Sequence, residues 1–540
     1  MNKYFGIRFV IAMTFCFTLF MSAWAGGHYG NYYVKVSAVG TGDGSSWTNA
    51  FTDLQTAIDL ALPGDIICVA AGTYLPTHRH AGDSLRHSTF YIHKDITIYG
   101  GFAGTPGTEG TLEGRDPNLN PTILSGDLGV AGDTLDNAFH VVFIDHVSDT
   151  MRLDGFTIKD GNNFGGSGFE TYGAGIFMSA DSGRCNPIVA NCLITLNHAD
   201  QGGGGVAVFG QFGGTALPAF WNCHFELNEA GGGGGLQAYT DSDGTISPEM
   251  INCWFRGNTA RSAQGSAVSI IVHSSHSEPV LINSVVTGNY ALTSAAFDIF
   301  LTGTGLATPE IINSVFSGNN NGSIRVSSIG SVTSTLTMRN SILWNNGFGH
   351  GLSTNNADVD VTNSLMEFGF FGEGNISLDP MFIDPPASTG VPHVAGDVHL
   401  QPRSPAIDAG NNGSVPGFIT TDADGLPRII DTATGEAGGT VDMGAFEVQE
   451  AVSAATVIHK TMDWNVYPNP ASIEMNVLLP QVDHTCTLSL WTSTGIEVKR
   501  LEVSPGLKEC LLNIADFVPG TYYLSITSDR IMDVRKVIIQ

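Results

Sequence analysis

His224 and Glu226 stand two residues apart, and Trp254 and Arg256 repeat that spacing thirty residues later. A spacing of two puts side chains on one face of a strand, and neighbouring strands lie about 5 Å apart. The four would then join an imidazole and a carboxylate able to move a proton to a cation and an aromatic platform. That set suits the grip of a sugar ring beside a reacting carboxylate, with His224, Glu226 and Arg256 as catalytic candidates and Trp254 as the substrate platform. The same residues also make an ordinary cross-strand ion pair with an imidazole packed on an indole. Both readings stand, because a catalytic set usually needs further acids or bases.

Other reactive side chains sit in loops. Asp127, Asp133 and Asp136 crowd one Gly-containing loop, and Asp422 with Asp424 form an Asp-x-Asp-Gly turn. Hard oxygen ligands of this kind hold Ca²⁺, yet neither loop has the full spacing of an EF-hand, and Asp also favours turns for backbone reasons. Ca²⁺ is thus the one cofactor the sequence offers, as a loop stabiliser. His78, His80, His87 and His93 gather near the start, with His78 and His80 spaced for one strand face, but no Cys or carboxylate motif accompanies them. The alternative is a solvated loop with His93 near a strand.

The elements that must position these groups repeat. Asn followed by a small residue recurs at Asn191, Asn222, Asn252, Asn283, Asn313, Asn340 and Asn363, and in six copies a second Asn follows six positions later, from Asn197 to Asn346. A Gly-rich approach to another apolar segment keeps the same period at Gly173-Ala174-Gly175-Ile176, Gly205-Val206 and Gly235-Leu236. Leu153-Asp154-Gly155-Phe156 reads as the same unit with Asp in place of Asn. Fixed-period self-similarity signals a solenoid. Cys223, Phe225 and Leu227 alternate with His224 and Glu226, so the segments are strands. Asn tolerates left-handed backbone geometry and its amide can bond the equivalent amide one coil away, which gives the repeated asparagines a structural role.

The predicted fold class is all-β: a right-handed parallel β-helix followed by a small C-terminal β-sandwich. If the small residue after each corner points inward, Leu193, His224, Trp254, Val285 and Val315 form one outward row, and Thr195, Glu226, Arg256, Thr287 and Ser317 the other. Cys192, Cys223 and Cys253 occupy the position that serines fill later, which points to a small inward side chain and not to a disulfide. Cys486 and Cys510 are the two cysteines of the last domain and form the one candidate pair there, with a geometry that spacing does not fix. Tyr32 to Val36 reads as a strand, and Leu54, Ala57, Ile58 and Ala61 share a helical face behind Thr52 or Asp53, suited to closing the first coil.

Composition agrees. The chain of 540 residues carries 51 acidic and 23 basic side chains, a net charge of −28, with 67 glycines and only 14% charged residues. Such a charge repels phosphate backbones and anionic lipids, so nucleic acid is excluded as a partner. At the start, Lys3 and Arg8 precede an apolar run from Phe9 to Phe20, and Ala23-Trp24-Ala25 precedes Gly26, the pattern of a removable secretion signal. No later stretch is long and apolar enough to span a bilayer.

Residues 30 to 410, on the strength of the repeat, resemble the right-handed parallel β-helix (pectin-lyase-like) superfamily. Asp379-Pro380-Met381-Phe382, Ser404-Pro405-Ala406-Ile407-Asp408-Ala409-Gly410, Asp424-Gly425-Leu426-Pro427-Arg428 and Val441-Asp442-Met443-Gly444-Ala445-Phe446-Glu447 resemble the choice-of-anchor Q segment of bacterial surface β-helix proteins, which implies a distal cap. Tyr467-Pro468-Asn469-Pro470, the turn at Thr494-Gly495, Val518-Pro519-Gly520-Thr521-Tyr522-Tyr523-Leu524 and Arg535-Lys536-Val537-Ile538-Ile539 resemble the type A sorting domain of type IX secretion. Gly520, Tyr522 and Lys536 belong to that motif. This resemblance implies a Bacteroidota-type cell, the type IX machinery as partner, and a secreted or outer-membrane cell-surface destination.

The resulting organisation is a signal peptide (1–25), a strand-helix cap (26–75), the β-helix (76–377), a distal cap (378–449), a linker (450–462) and a sorting domain (463–540). Lyases of the resembled superfamily use Ca²⁺ or clustered Lys and Arg on substrate carboxylates, whereas no lysine lies between Lys159 and Lys460 here. The expected function is non-catalytic binding of an extracellular polysaccharide or other partner. The alternative is a carbohydrate-active enzyme, a polysaccharide lyase or glycoside hydrolase, acting at the groove of His224, Glu226 and Arg256.

Overall fold

A computed structural model describes residues 31–540 except 113, 242, 263, 330–333, 348–350, 432–435, 438, 450–463, 480–485, 493–496 and 529–530. The expected signal peptide, the linker and Gly495 lie outside the described residues. Two compact units divide at 449/450. The first is a parallel β-solenoid with three long sheets of eleven, ten and ten strands. One coil runs Ile176–Asp181 in the third sheet, Ile188–Ala190 in the first and Leu193–Thr195 in the second, before Val206–Gln211 begins the next coil. Neighbouring coils pair in parallel register, as in Ile176↔Val206, Ile188↔Ala219 and Leu193↔His224.

Alternation along each strand sends one set of side chains into the coil. Phe225 and Phe255 are fully buried and stack with ring centroids 4.4 Å apart. Asp53 accepts a hydrogen bond from the Thr56 N–H at 2.8 Å and caps a helix, Leu54–Leu60, whose Leu54, Ala57 and Ile58 join the interior core. Lys94 Nζ donates to the carbonyls of Asp59 and Ala61 at the other end, groups that a helix leaves unpaired.

The seven corner asparagines all adopt left-handed backbone, with φ between 48° and 53°. The Asp154 unit sits one residue out of the register expected for it. Gly155 takes the left-handed corner at φ 83°, and buried Asp154 sends its carboxylate to the Asn191 Nδ2 at 2.9 Å. Asn191, Asn222 and Asn252 continue that outer ladder through amide bonds of 3.1 and 3.0 Å. The second set, Asn197 to Asn346, forms an inner ladder of five successive side-chain bonds of 2.9 to 3.2 Å, and each amide also donates to a strand carbonyl. The small residue after the corner faces inward. Ser284, Ser314, Ser341 and Ser364 each accept the backbone N–H of the preceding coil's equivalent, and the three cysteine thiols there are buried.

Residues 378–449 lie along the flank of the solenoid. A hairpin of Phe382–Asp384 and Asp397–Leu400, with Met443 and Phe446, buries Val285, Val315, Ile342 and Leu365 on the outer face of the second sheet. Val415 and Ile419 cover Ile251, Ile282 and Ile312 on the first. The corner between those sheets supplies the polar anchors: Asn283 Nδ2 donates to Thr421 O at 2.7 Å, and Asn340 bonds Asn411 in both directions. Beneath the hairpin loop the chain uses glycine. Gly257, Gly288 and Gly318 are left-handed, and a Cβ on Gly288 would lie 2.1 Å from the His393 carbonyl oxygen. The equivalent Leu196 and Leu227, beyond the loop, keep exposed side chains.

A buried knot holds this segment together. Arg428 is fully buried and donates through Nη2 to the carbonyls of Asp442 and Gly444 at 3.0 and 2.6 Å. Asp442 accepts the N–H groups of Asp408 and Val448, Glu447 those of Ile430 and Asp442, and Asp422 those of Asp424, Leu426 and Glu447. Burial pushes the Glu447 carboxyl up to about 8, with Asp442 adding to the rise, and pushes Asp442 up to about 6.

The second unit has two antiparallel sheets over one core that includes Met475, Val477, Leu488, Leu524 and Val537. Cys486 and Cys510 are not joined by a disulfide.

Two outcomes are expected. Asn258→Ala removes the acceptor of the Asn228 N–H and leaves the Phe225 carbonyl without its amide, all buried; at about 1–3 kcal/mol per stranded group, the unfolding midpoint in denaturant should drop by the equivalent of at least about 2 kcal/mol. Raised carboxyls favour the protonated folded chain, so their contribution is whole below the unfolded values of about 4 and fades as pH climbs toward about 8. Parent protein should therefore lose thermal stability between pH 5 and 8, and Glu447→Gln, although less stable at pH 5, should show a flatter profile.

Candidate functional site

The structure brings His224, Glu226, Trp254 and Arg256 together in the expected register, His224↔Trp254 and Glu226↔Arg256. They satisfy one another. Glu226 Oε1 faces His224 Nδ1 at 3.2 Å and accepts Arg256 Nε at 3.0 Å, and Arg256 Nη2 adds a shorter bond. Partial burial opposes ionisation of Glu226, but the bonds to His224 and Arg256 outweigh it and hold the carboxyl below its ordinary range, the wrong direction for a general acid at neutral pH. Trp254 has His224 stacked on it at 5.6 Å, the Arg256 guanidinium at 4.9 Å and Phe446 at 5.5 Å. The row continues into Val285 and Val315, which the flanking hairpin covers. What the sequence treated as an open groove is a docking face from Trp254 onward.

The loop candidates are also engaged. Asp127 accepts the Gly132 N–H, Asp133 that of Leu135 and Asp136 that of Val130, so each carboxylate organises its own loop. Asp424 bonds His399 at 2.8 Å, whose ring lies on Phe446. Among the described residues no three His, Cys, Asp or Glu side chains converge as metal ligands.

A different face carries the cleft. On the third sheet, Val142, Ile144, Ile176 and Met178 point inward, which leaves Phe143, Asp145, Phe177, Ser179 and Asp181 outward. Tyr91, Phe143 and Phe177 stand in register on successive coils, with ring centroids 5.7 and 5.2 Å apart. Phe209 lies two residues further along its strand, opposite Ser179, and contacts Phe177 at 5.4 Å and Tyr239 at 5.3 Å. Ile271 and Phe300 carry the row on in register. Over the upper rings opens a cleft of about 310 Å³, floored by Phe143, Phe177 and Phe209 and bounded by Arg86, His87, Phe169 and Glu170 on one side and Asp145, Asp181 and Gln211 on the other.

Of the histidines noticed near the chain start, His80 and His87 line this cleft, while His78 and His93 pack beside it on Tyr91. His80 stacks on Phe143 at 4.3 Å, and His78 and His93 stack on Tyr91. His87 pairs with Glu170 at 2.8 Å. His140, half-buried, stacks on Phe177, and its Nδ1 lies 3.0 Å from the Gly173 carbonyl; desolvation lowers it to about 4 and keeps the ring neutral. Tyr91 donates to Asp145 at 3.2 Å. Sequence reasoning missed the aromatic floor, although Phe209 and Tyr239 recur at the repeat period just after the Gly-rich segments.

In the C-terminal unit the expected sorting residues fasten the last strand, Ile531–Ile539. Asn469 Nδ2 donates to Lys536 O at 2.9 Å and its Oδ1 accepts the Ile538 N–H. Tyr467 bonds Glu509 through its hydroxyl, and Tyr522 bonds the Val518 carbonyl two residues before Gly520. Residues 465–540 match the family described as a secretion system C-terminal sorting domain. No curated protein matches the chain. The crystal structure of pectate lyase Pel9A aligns over 77% of this chain and 96% of its own, at 14% identity and a TM-score of 0.41. Among the described residues no helix is long and apolar enough to cross a membrane. The sorting domain implies export by the type IX secretion system, to the medium or the cell surface.

Proposed function

We propose that the exported solenoid binds an extracellular polysaccharide along the outer face of its third sheet, without cleaving it. The observation that carries this reading is the aromatic file from Tyr91 to Tyr239, one ring per coil at a rise of about 4.8 Å, close to the length of one sugar unit, in two columns offset by two residues between Phe177 and Phe209. Aromatic faces pack against the C–H faces of pyranose rings, while convergent polar groups fix orientation. Asp145, Ser179, Asp181 and Gln211 offer acceptors for sugar hydroxyls along one rim. The cleft volume sits at the low end of small-ligand pockets, which suits one or two sugar units, with the chain running on past Tyr239, Ile271 and Phe300.

A glycan array followed by calorimetry on the exported protein tests the reading. Phe143→Ala with Phe177→Ala should weaken binding at least tenfold, while Glu226→Gln should leave it unchanged. Equal loss from Glu226→Gln, or release of shortened products from the same glycans, would replace this reading with the enzyme at the His224 face or at the cleft. Removal of 465–540 should retain the solenoid inside cells that carry the type IX machinery, measured by fractionation and the mass of the mature form.

A further inference from the structure

Resting on the reading of the cleft as a glycan site, we infer that the cleft rejects polyuronates and takes glycans that carry no carboxylate. The argument is one of charge. Three carboxylates, Asp145, Glu170 and Asp181, line the cleft against a single guanidinium, Arg86. That guanidinium is already committed: Nε donates to Asn137 O at 2.9 Å, Nη2 to Asn162 O at 2.6 Å, and its plane lies 4.1 Å over Phe139.

The imidazoles do not restore the balance. Burial lowers His80 and His140, and both rest on phenyl rings, so they present neutral faces at pH 7. His87 is matched by Glu170, and His146 lies 3.3 Å from Asp145. What remains toward solvent is a rim of acceptors, with Asp181 exposed beside Gln211 and Ser179. Sugar hydroxyls donate to such a rim. A uronate carboxylate would meet like charge and lose its water without a cation in return, in a protein of net charge −28.

The test compares affinities of the exported full-length protein for neutral β-glucan and xylan oligosaccharides against oligogalacturonates of equal length at low ionic strength. At least tenfold tighter binding of a neutral oligomer is expected. Asp145→Asn with Asp181→Asn should narrow the gap, as should added salt. Equal or tighter binding of the oligogalacturonate would overturn the inference and leave the glycan reading standing, whereas binding of cationic glucosamine oligomers would agree with it. No binding of any glycan would overturn both.

Discussion

The column of buried amides from Asn197 to Asn346 is the constraint on which the solenoid depends. Each coil must leave the second sheet by a left-handed step and re-enter the third, and that step buries backbone groups which neither sheet can pair. One asparagine per coil answers this by accepting from the coil before and donating to its own and adjoining strands. A polar group inside an apolar core is costly unless every bond is made. Here each rung completes its neighbour, so the ladder sets the register that stacks every outward column, including the aromatic one.

Two flanks of the same coil then serve opposite ends. The outer faces of the first and second sheets, in the later coils, carry Ile282, Ile312, Val285 and Val315 and are sealed by residues 378–449. On the third sheet, the early coils place rings outward that pack on one another, on the imidazoles around them and on Phe169 and Tyr172, and together floor a cleft. The ion pair at Glu226 and Arg256 sits at the border of the sealed region, where its members satisfy one another next to Trp254, which packs on Phe446.

Much of the scaffold was legible because a repeat declares itself. Asn191 through Asn363 identified the corners and Cys223, Phe225 and His224 the strand alternation, and these placed His224 opposite Trp254 correctly. The register at Asp154 failed by one residue since Gly155 and Asn191 solve the same backbone problem with different side chains. The docking of 378–449 was less visible: Val285 and Val315 suit a strand whether water or a hairpin lies above them, although an apolar outward row was itself a sign of a cover. The aromatic floor escaped because Phe177 and Phe209 belong to different columns, two residues apart, and meet only once the strands are stacked.

The bare corners at Gly257, Gly288 and Gly318 bear on where the solenoid accepts a bulky corner. The hairpin loop runs over three corners without side chains and then over Asn345, whose amide bonds the Pro386 carbonyl, so a corner as bulky as Leu227 would clash beneath it. Coils ahead of Leu227 meet no such template. The stretch before the hairpin, where the cleft lies, is therefore the part of the solenoid on which this steric constraint does not act.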